Sequence, residues 1–187
     1  MNLTEKPLSS EYPYRGKIVN MRVDQALLPN GRQAVREVVE HPGGVCVAAL
    51  TDREELLFIR QFRYPYQEAI LELPAGKRSP GEDPLECGIR ELKEETGAVA
   101  ARVEPLGRLY PSPGYTDEII YLFLATGLSF GDSHPGSAHL LRLVDIAAQA
   151  VYRAGGKAAR YFATDICDGM SQGHDGINYS LASREAI

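Results

Sequence analysis

The sequence predicts an α/β protein built on a mixed sheet with helices interleaved between short strands. Three observations predict it. Apolar runs of strand length recur along the chain, such as VCVAAL from Val45 and ELLFIRQF from Glu55. One later segment, from Asp83 to Gly97, carries a helix start, a helix-period apolar pattern and a helix stop. Finally, 187 residues of which 44% are hydrophobic suffice to bury a core, and the length favours one domain with a small appended element.

Residues 1–15 are polar and contain prolines, which predicts a loose arm. KIVNMRVDQALL then alternates as a strand, Pro29-Asn30-Gly31 turns the chain, and RQAVREVVE returns. Asn-Gly supplies the positive φ angles that such a tight hairpin needs. Arm and hairpin make an N-terminal module over residues 1–43. After the break at His41-Pro42-Gly43-Gly44 come VCVAAL, ELLFIRQF, EAILELP, RVEPLGRLY and EIIYLFLA, all with strand character. DIAAQAVYRA from Asp145 spaces Ile146, Ala150 and Val151 as a helix ending before Gly155-Gly156, so the main domain is expected over 44–156. Residues 157–187 have little periodicity and are expected to form a poorly packed C-terminal extension.

A net charge of −5 without a basic block opposes a nucleic-acid partner, because nothing offsets repulsion from the phosphates. No apolar run reaches membrane-spanning length. The N-terminal stretch lacks the basic start and apolar core of a secretion signal, so a cytoplasmic protein without membrane contact is expected. Cys46, Cys87 and Cys167 are odd in number and far apart, as befits small buried hydrophobes in a reducing compartment.

Asp83-Pro84 reads as an N-cap followed by the first helical position, and Gly97 as the stop. Leu85, Ile89 and Leu92 share a narrow sector that is expected to pack on the sheet. Glu91 and Glu95 lie together on another face with Glu94 beside them, and Gly88 leaves room one turn earlier. Like charges at this spacing repel by roughly 0.2–0.5 kcal/mol when exposed. Arg90, four residues from Glu86 and from Glu94, relieves part of this, whereas Glu91 and Glu95 have no such cation within the helix. The plain reading is a solvated acidic face. The functional reading is a hard divalent cation, Mg²⁺ or Mn²⁺, bound by carboxylate oxygens.

From Gly76 to Ala98 the sequence GKRSPGEDPLECGIRELKEETGA resembles the Nudix box position by position, with Gly76, Glu82, Arg90, Glu91, Leu92, Glu94, Glu95 and Gly97 in register. The resemblance implies the Nudix fold, an α/β/α sandwich around a mixed sheet, with residues 76–98 as a loop-helix-loop. It implies Glu91 and Glu95 as principal ligands of Mg²⁺ or Mn²⁺, with Glu94 and the backbone carbonyl of Ala75 near the same ions. Gly76, Glu82, Arg90 and Gly97 would hold the box together. The implied reaction is hydrolysis of a nucleoside diphosphate linked to another group, a small-molecule substrate.

The flanks LELPAGK, QFRYP and SPGYTDE, with Pro113 sixteen residues beyond Gly97, resemble ADP-ribose pyrophosphatases, as does the upstream hairpin. This likeness covers roughly residues 14–130. It implies hydrolysis of ADP-ribose or a related ADP-sugar to AMP and ribose 5-phosphate, by a homodimer whose exchanged N-terminal module completes the partner's site. In that frame Arg63 contacts the pyrophosphate or ribose, Glu72 is a second acidic site residue, Pro113 and Gly114 bring backbone to the sugar, and Arg36 and Glu37 fall where relatives hold the adenine. Without it, these are strand charges facing solvent and a plain turn.

Relatives take their general base, a glutamate, from an acidic run beyond that point. Here FGDSHPGSAHLLRL offers Gly136, Ser137, Ala138 and His139, with Asp132 as the nearby carboxylate. His139 is therefore one candidate base, activation mainly by metal a second route, and an impaired enzyme a third outcome. Competing readings are a hydrolase of another nucleoside diphosphate sugar, such as GDP-mannose, and a catalytically weak ADP-ribose-binding sensor.

Overall fold

The computed structural model describes residues 2–131 and the strand Ala138–Arg142, the latter by its backbone. In chain order its elements are β1 (Lys6–Arg15), β2 (Asn20–Leu27), β3 (Gln33–Glu40), β4 (Gly44–Ala49), β5 (Glu55–Arg63), β6 (Glu68–Glu72), β7 (Ala75–Lys77), α1 (Pro84–Thr96), β8 (Ala98–Leu109), β9 (Ile120–Phe130) and β10 (Ala138–Arg142). A single 3-10 turn, Tyr64–Tyr66, links β5 to β6.

The first three strands form an antiparallel sheet in the order β1-β2-β3. Its hairpin turns at Gly31, whose φ of +81° is the left-handed conformation that the Asn-Gly pair predicts. The expected loose arm is instead strand β1. Prolines argue against a central strand, but β1 lies at the sheet edge, and Pro13 falls within the ladder irregularity between Glu11 and Tyr14.

The second sheet, β7-β4-β9-β8, is mixed as expected: β4 runs parallel to β9 and antiparallel to β7. In the interior of this sheet β4 buries Val45, Val47 and Ala49 on one face, while Cys46 and Ala48 on the other are half-buried. Val45, Val47 and Ala49 pack with Leu57, Cys87, Leu92, Ala98, Phe123 and Ala125 into one core. Full burial of a Val, Leu or Phe side chain in such a core stabilises the fold by roughly 1.5–3 kcal/mol. The third sheet has the order β10-β5-β6.

Helix α1 starts and stops as its local sequence dictates. The Asp83 carboxylate accepts hydrogen bonds from the Leu85 and Glu86 N–H groups at 2.8 and 3.3 Å, and Gly97 at φ +71° closes the last turn onto Lys93 O at 2.9 Å. Its buried face differs from the expected one. Leu92 is buried, but Leu85 and Ile89 are 37% and 47% exposed, and Cys87, Gly88 and Thr96 take the contact. A wheel records angles and treats glycine as empty. Here a Cβ on Gly88 would stand only 3.3 Å from Phe123 and 3.4 Å from Val47, so the bare backbone itself is a packing surface against the sheet.

Among the described residues α1 is the one α-helix, and it flanks the second sheet. Over the described residues the architecture is a mixed-sheet domain with a single flanking helix and an N-terminal hairpin region extended by β1, rather than the expected α/β/α sandwich. The predicted helix from Asp145, and the C-terminal extension at 157–187, lie outside the described residues. Among those described, no helix is long and apolar enough to cross a membrane.

Candidate active site

Arg90 is the hub of the loop-helix-loop. Its Nε and Nη2 donate to the two Glu82 oxygens at 2.9 and 3.1 Å, and its Nη1 donates to Glu91 Oε1 at 2.7 Å and Glu94 Oε2 at 3.0 Å. Glu91 is therefore not the bare carboxylate that helical spacing predicts. A guanidinium on a long stem reaches past the i, i+4 row to its own neighbour. Arg90, together with the Ser79 N–H at 2.8 Å, holds the Glu82 carboxyl down at about 2. Because the folded-state value is depressed, this contribution is complete above the ordinary carboxylate range and is lost as pH falls from about 5 to about 2. The denaturation midpoint is expected to drop across that window, and Glu82→Gln should flatten the drop. An unchanged slope in Glu82→Gln would remove Glu82 as its source.

The box helix sets two further carboxylates against the segment that precedes it. A Cβ built on Gly76 would fall on the Glu91 carboxyl group, so only glycine leaves the space that Glu91 occupies. Glu95 accepts the Ala75 N–H at 3.0 Å. Burial pushes the Glu95 carboxyl above its ordinary value; the Ala75 N–H and Arg63 pull it down, while Glu91 and Glu72 push it up. Across β5 and β6, Arg63 donates to both Glu72 oxygens, with Nε at 2.6 Å from Oε1. Burial, then the charges of Glu72 and Glu95, lift the neighbouring Cys46 thiol to about 11, so this cysteine is protonated at neutral pH. Arg63, Glu72, Ala75 and Gly76 thus share a cleft of about 590 Å³, together with His41 and Glu118.

A second cleft of about 600 Å³ gathers Arg36, Pro113 and Gly114 with Arg22, Asp24 and Tyr115. Its walls are the N-terminal sheet and the loop before β9 of the same chain. Arg36 is held by Glu5 in a bidentate pair at 2.9 and 2.8 Å. The Ser10 hydroxyl and Arg22 hold the Asp24 carboxyl below its ordinary range, against the effect of burial. Glu37, next to Arg36 on β3, is exposed and lines neither cleft, since adjacent strand residues point to opposite faces.

The expected metal ligands are only partly brought together. Among the described residues no group of three or more His, Cys, Asp or Glu side chains is arranged to hold a metal ion. Glu94 is 58% exposed on its side chain and tied to Arg90. Glu91 and Glu95 do fit part of such a site, for their charges act on each other beside the 75–76 backbone. The structure gives His139 a backbone register opposite Phe58 on β5, and its side chain lies outside the described atoms. Sequence reasoning missed His41, Asp117 and Glu118, although HPGG and SPGYTDE contain them; HPGG reads merely as a chain break.

The model of the NUDIX domain matches residues 40–146, more than half of the chain. The chain belongs to the NUDIX domain family. The N-terminal sheet of this NUDIX protein matches the nucleoside diphosphate sugar hydrolase N-terminal domain over residues 5–39. The NUDIX chain is 43% identical over 128 residues to the ADP-ribose pyrophosphatase of Bacillus subtilis (strain 168), covering 68% of this chain and 69% of that protein. It shares its fold with a solved ADP compounds hydrolase, with a TM-score of 0.68 over 91% of this chain and 98% of that one, at 22% identity. A different likeness marks the far end of this NUDIX chain. Residues 123–187 match the dihydroxy-acid/6-phosphogluconate dehydratase N-terminal model, and a dihydroxy-acid dehydratase of Methanococcus vannielii is 40% identical over 84 residues, which is 44% of this chain and 15% of that protein. The two family matches overlap over 123–146, where the expected acidic run is missing.

Proposed function

We propose that this NUDIX protein hydrolyses the pyrophosphate bond of ADP-ribose or a related ADP-sugar, giving AMP and ribose 5-phosphate. The observation that carries the reading is the box helix setting Glu91 and Glu95 against Ala75 and Gly76, in a chain 43% identical to an ADP-ribose pyrophosphatase. Glu91 and Glu95 would hold Mg²⁺ or Mn²⁺, with Glu94 and the Ala75 carbonyl completing the set. Such a cation supplies charge neutralisation at the phosphates and a more acidic water. Gly76, Glu82, Arg90 and Gly97 keep the box in shape. Arg63 is the guanidinium to bridge diphosphate oxygens once it leaves Glu72. Arg36 serves the nucleoside from the second cleft, and Pro113 and Gly114 the sugar, while Glu37, on the opposite face of β3, has no part in that cleft. His139 is the candidate base.

Module boundaries at 43 and 156, a homodimer and a cytoplasmic location belong to the same reading. Exposed apolar residues on and beside the N-terminal sheet support the dimer, among them Leu8, Tyr14, Ile18 and Val35. Free Cys46 and Cys87 support a reducing compartment. A second reading, an ADP-ribose-binding sensor, is favoured by one observation: the dehydratase likeness, over residues 123–187, takes in the stretch where the acidic run is expected. Incubation with ADP-ribose and Mg²⁺ decides between them. AMP release from ADP-ribose faster than GMP release from GDP-mannose is expected, whereas binding of ADP-ribose without AMP release would leave the sensor.

A further inference from the structure

We propose that His41 contacts the ligand, donating from Nε2 to a phosphate oxygen of a nucleoside diphosphate where the two clefts meet; this rests on the reading above. The wall between the clefts is built from two loops laced together. Val39 N–H donates to Tyr115 O at 2.7 Å, Asp117 N–H to Val39 O at 3.2 Å, and Gly44 N–H to Ile119 O at 3.0 Å. His41 N–H adds a bond to Asp117 Oδ1 at 2.8 Å. Asp117 faces the cleft of Arg36 and Pro113, while His41 and Glu118 face the cleft of Arg63 and Glu72. A ligand with its nucleoside in one cleft and its diphosphate in the other crosses this wall at His41.

The ring is fixed in a way that leaves one nitrogen for such a ligand. Nδ1 accepts the Gly43 N–H at 3.1 Å, and Glu118 Oε1 stands 3.1 Å from the same nitrogen. With Nδ1 acting as acceptor, the ring proton resides on Nε2. Nε2 has no hydrogen-bond partner among the described residues, and the side chain is 17% exposed. The arginines of both clefts are already committed, Arg63 to Glu72, Arg36 to Glu5 and Arg22 to Asp24 and Glu40. An oriented N–H without a protein partner, in a cleft wall, is suited to an anionic oxygen.

The test is calorimetric titration of ADP-ribose into the full chain with chelator present, so that no hydrolysis intervenes. His41→Asn keeps a carbonyl that can accept the Gly43 N–H but has no donor at the Nε2 position; His41→Gln places an amide N–H there. His41→Asn is expected to weaken ADP-ribose binding about 10-fold with an unchanged Tm, and His41→Gln to recover most of it. Wild-type affinity in His41→Asn overturns the proposal. Equal losses in both variants, with Tm lowered in both, also overturn it in favour of a purely structural histidine. Wild-type protein that binds no ADP-ribose overturns the reading of the site along with it, and so separates the two failures.

Discussion

Glu95→Gln is expected to slow AMP release from ADP-ribose by about 10²–10³-fold while leaving Tm at or above the wild-type value. The two effects have separate origins. In the fold, burial pushes the titration of the Glu95 carboxylate upward, and the charges of Glu91 and Glu72 add to it, against the pull of the Ala75 N–H and Arg63. A carboxyl whose folded-state value is raised binds its proton more tightly in the folded state, so above the ordinary carboxylate range it destabilises the fold. Glutamine retains a carbonyl to accept the Ala75 N–H and removes the charge, which relieves that cost. The same charge is what a divalent cation needs, so its removal subtracts an anionic ligand from the site. Parallel melting curves and AMP assays check both halves. Retained hydrolysis would take Glu95 out of the site, and a large drop in Tm would show the charge to be structural.

Gly76→Ala is expected to lower the same rate by about 100-fold with only a small change in stability. The new Cβ would occupy the position of the Glu91 carboxyl group. What it meets is the far end of a flexible side chain, and Gly76 is not among the glycines with positive φ. Glu91 can therefore swing aside, and the backbone accepts alanine without strain. A rotamer change costs on the order of 0.5–1.5 kcal/mol, partly offset by about 0.4–1 kcal/mol from the lost flexibility of glycine in the unfolded chain. The active geometry has no such compensation, because Glu91 can no longer stand beside Ala75 and Glu95. A Gly76→Ala protein with wild-type turnover would show that Glu91 does not act from this position.

The reading of α1 illustrates how far local sequence carries. Asp83-Pro84 and Gly97 set its ends correctly, because capping is satisfied within a few residues of the terminus. Its buried face was not available from the same letters. Gly88 makes the closest approach to Val47 and Phe123, partners about 41 and 35 residues away, and no wheel contains the sheet that selects it. Similarly, β1 has the composition of a loose arm and becomes a strand only because β2 offers a ladder edge. The absent acidic run was legible as a departure. That dehydratase likeness takes in the same stretch came only from the family comparisons.

By itself, the sequence determined the strand segments β2 to β6, β8 and β9 in outline, the Asn-Gly hairpin, the limits of the box helix and the NUDIX family, since each rests on short-range pattern or on spacing within one segment; the short β7 where a loop was expected came only from its pairing with β4. Tertiary structure alone decided that Arg90 reaches Glu91 as well as Glu82, that Glu95 turns to Ala75, and that His41 and Glu118 meet in the wall between two clefts. Those are contacts between groups whose approach depends on how sheets and loops stack. Their energies are set by burial and by which donor happens to be nearest, and neither quantity exists until the chain has folded.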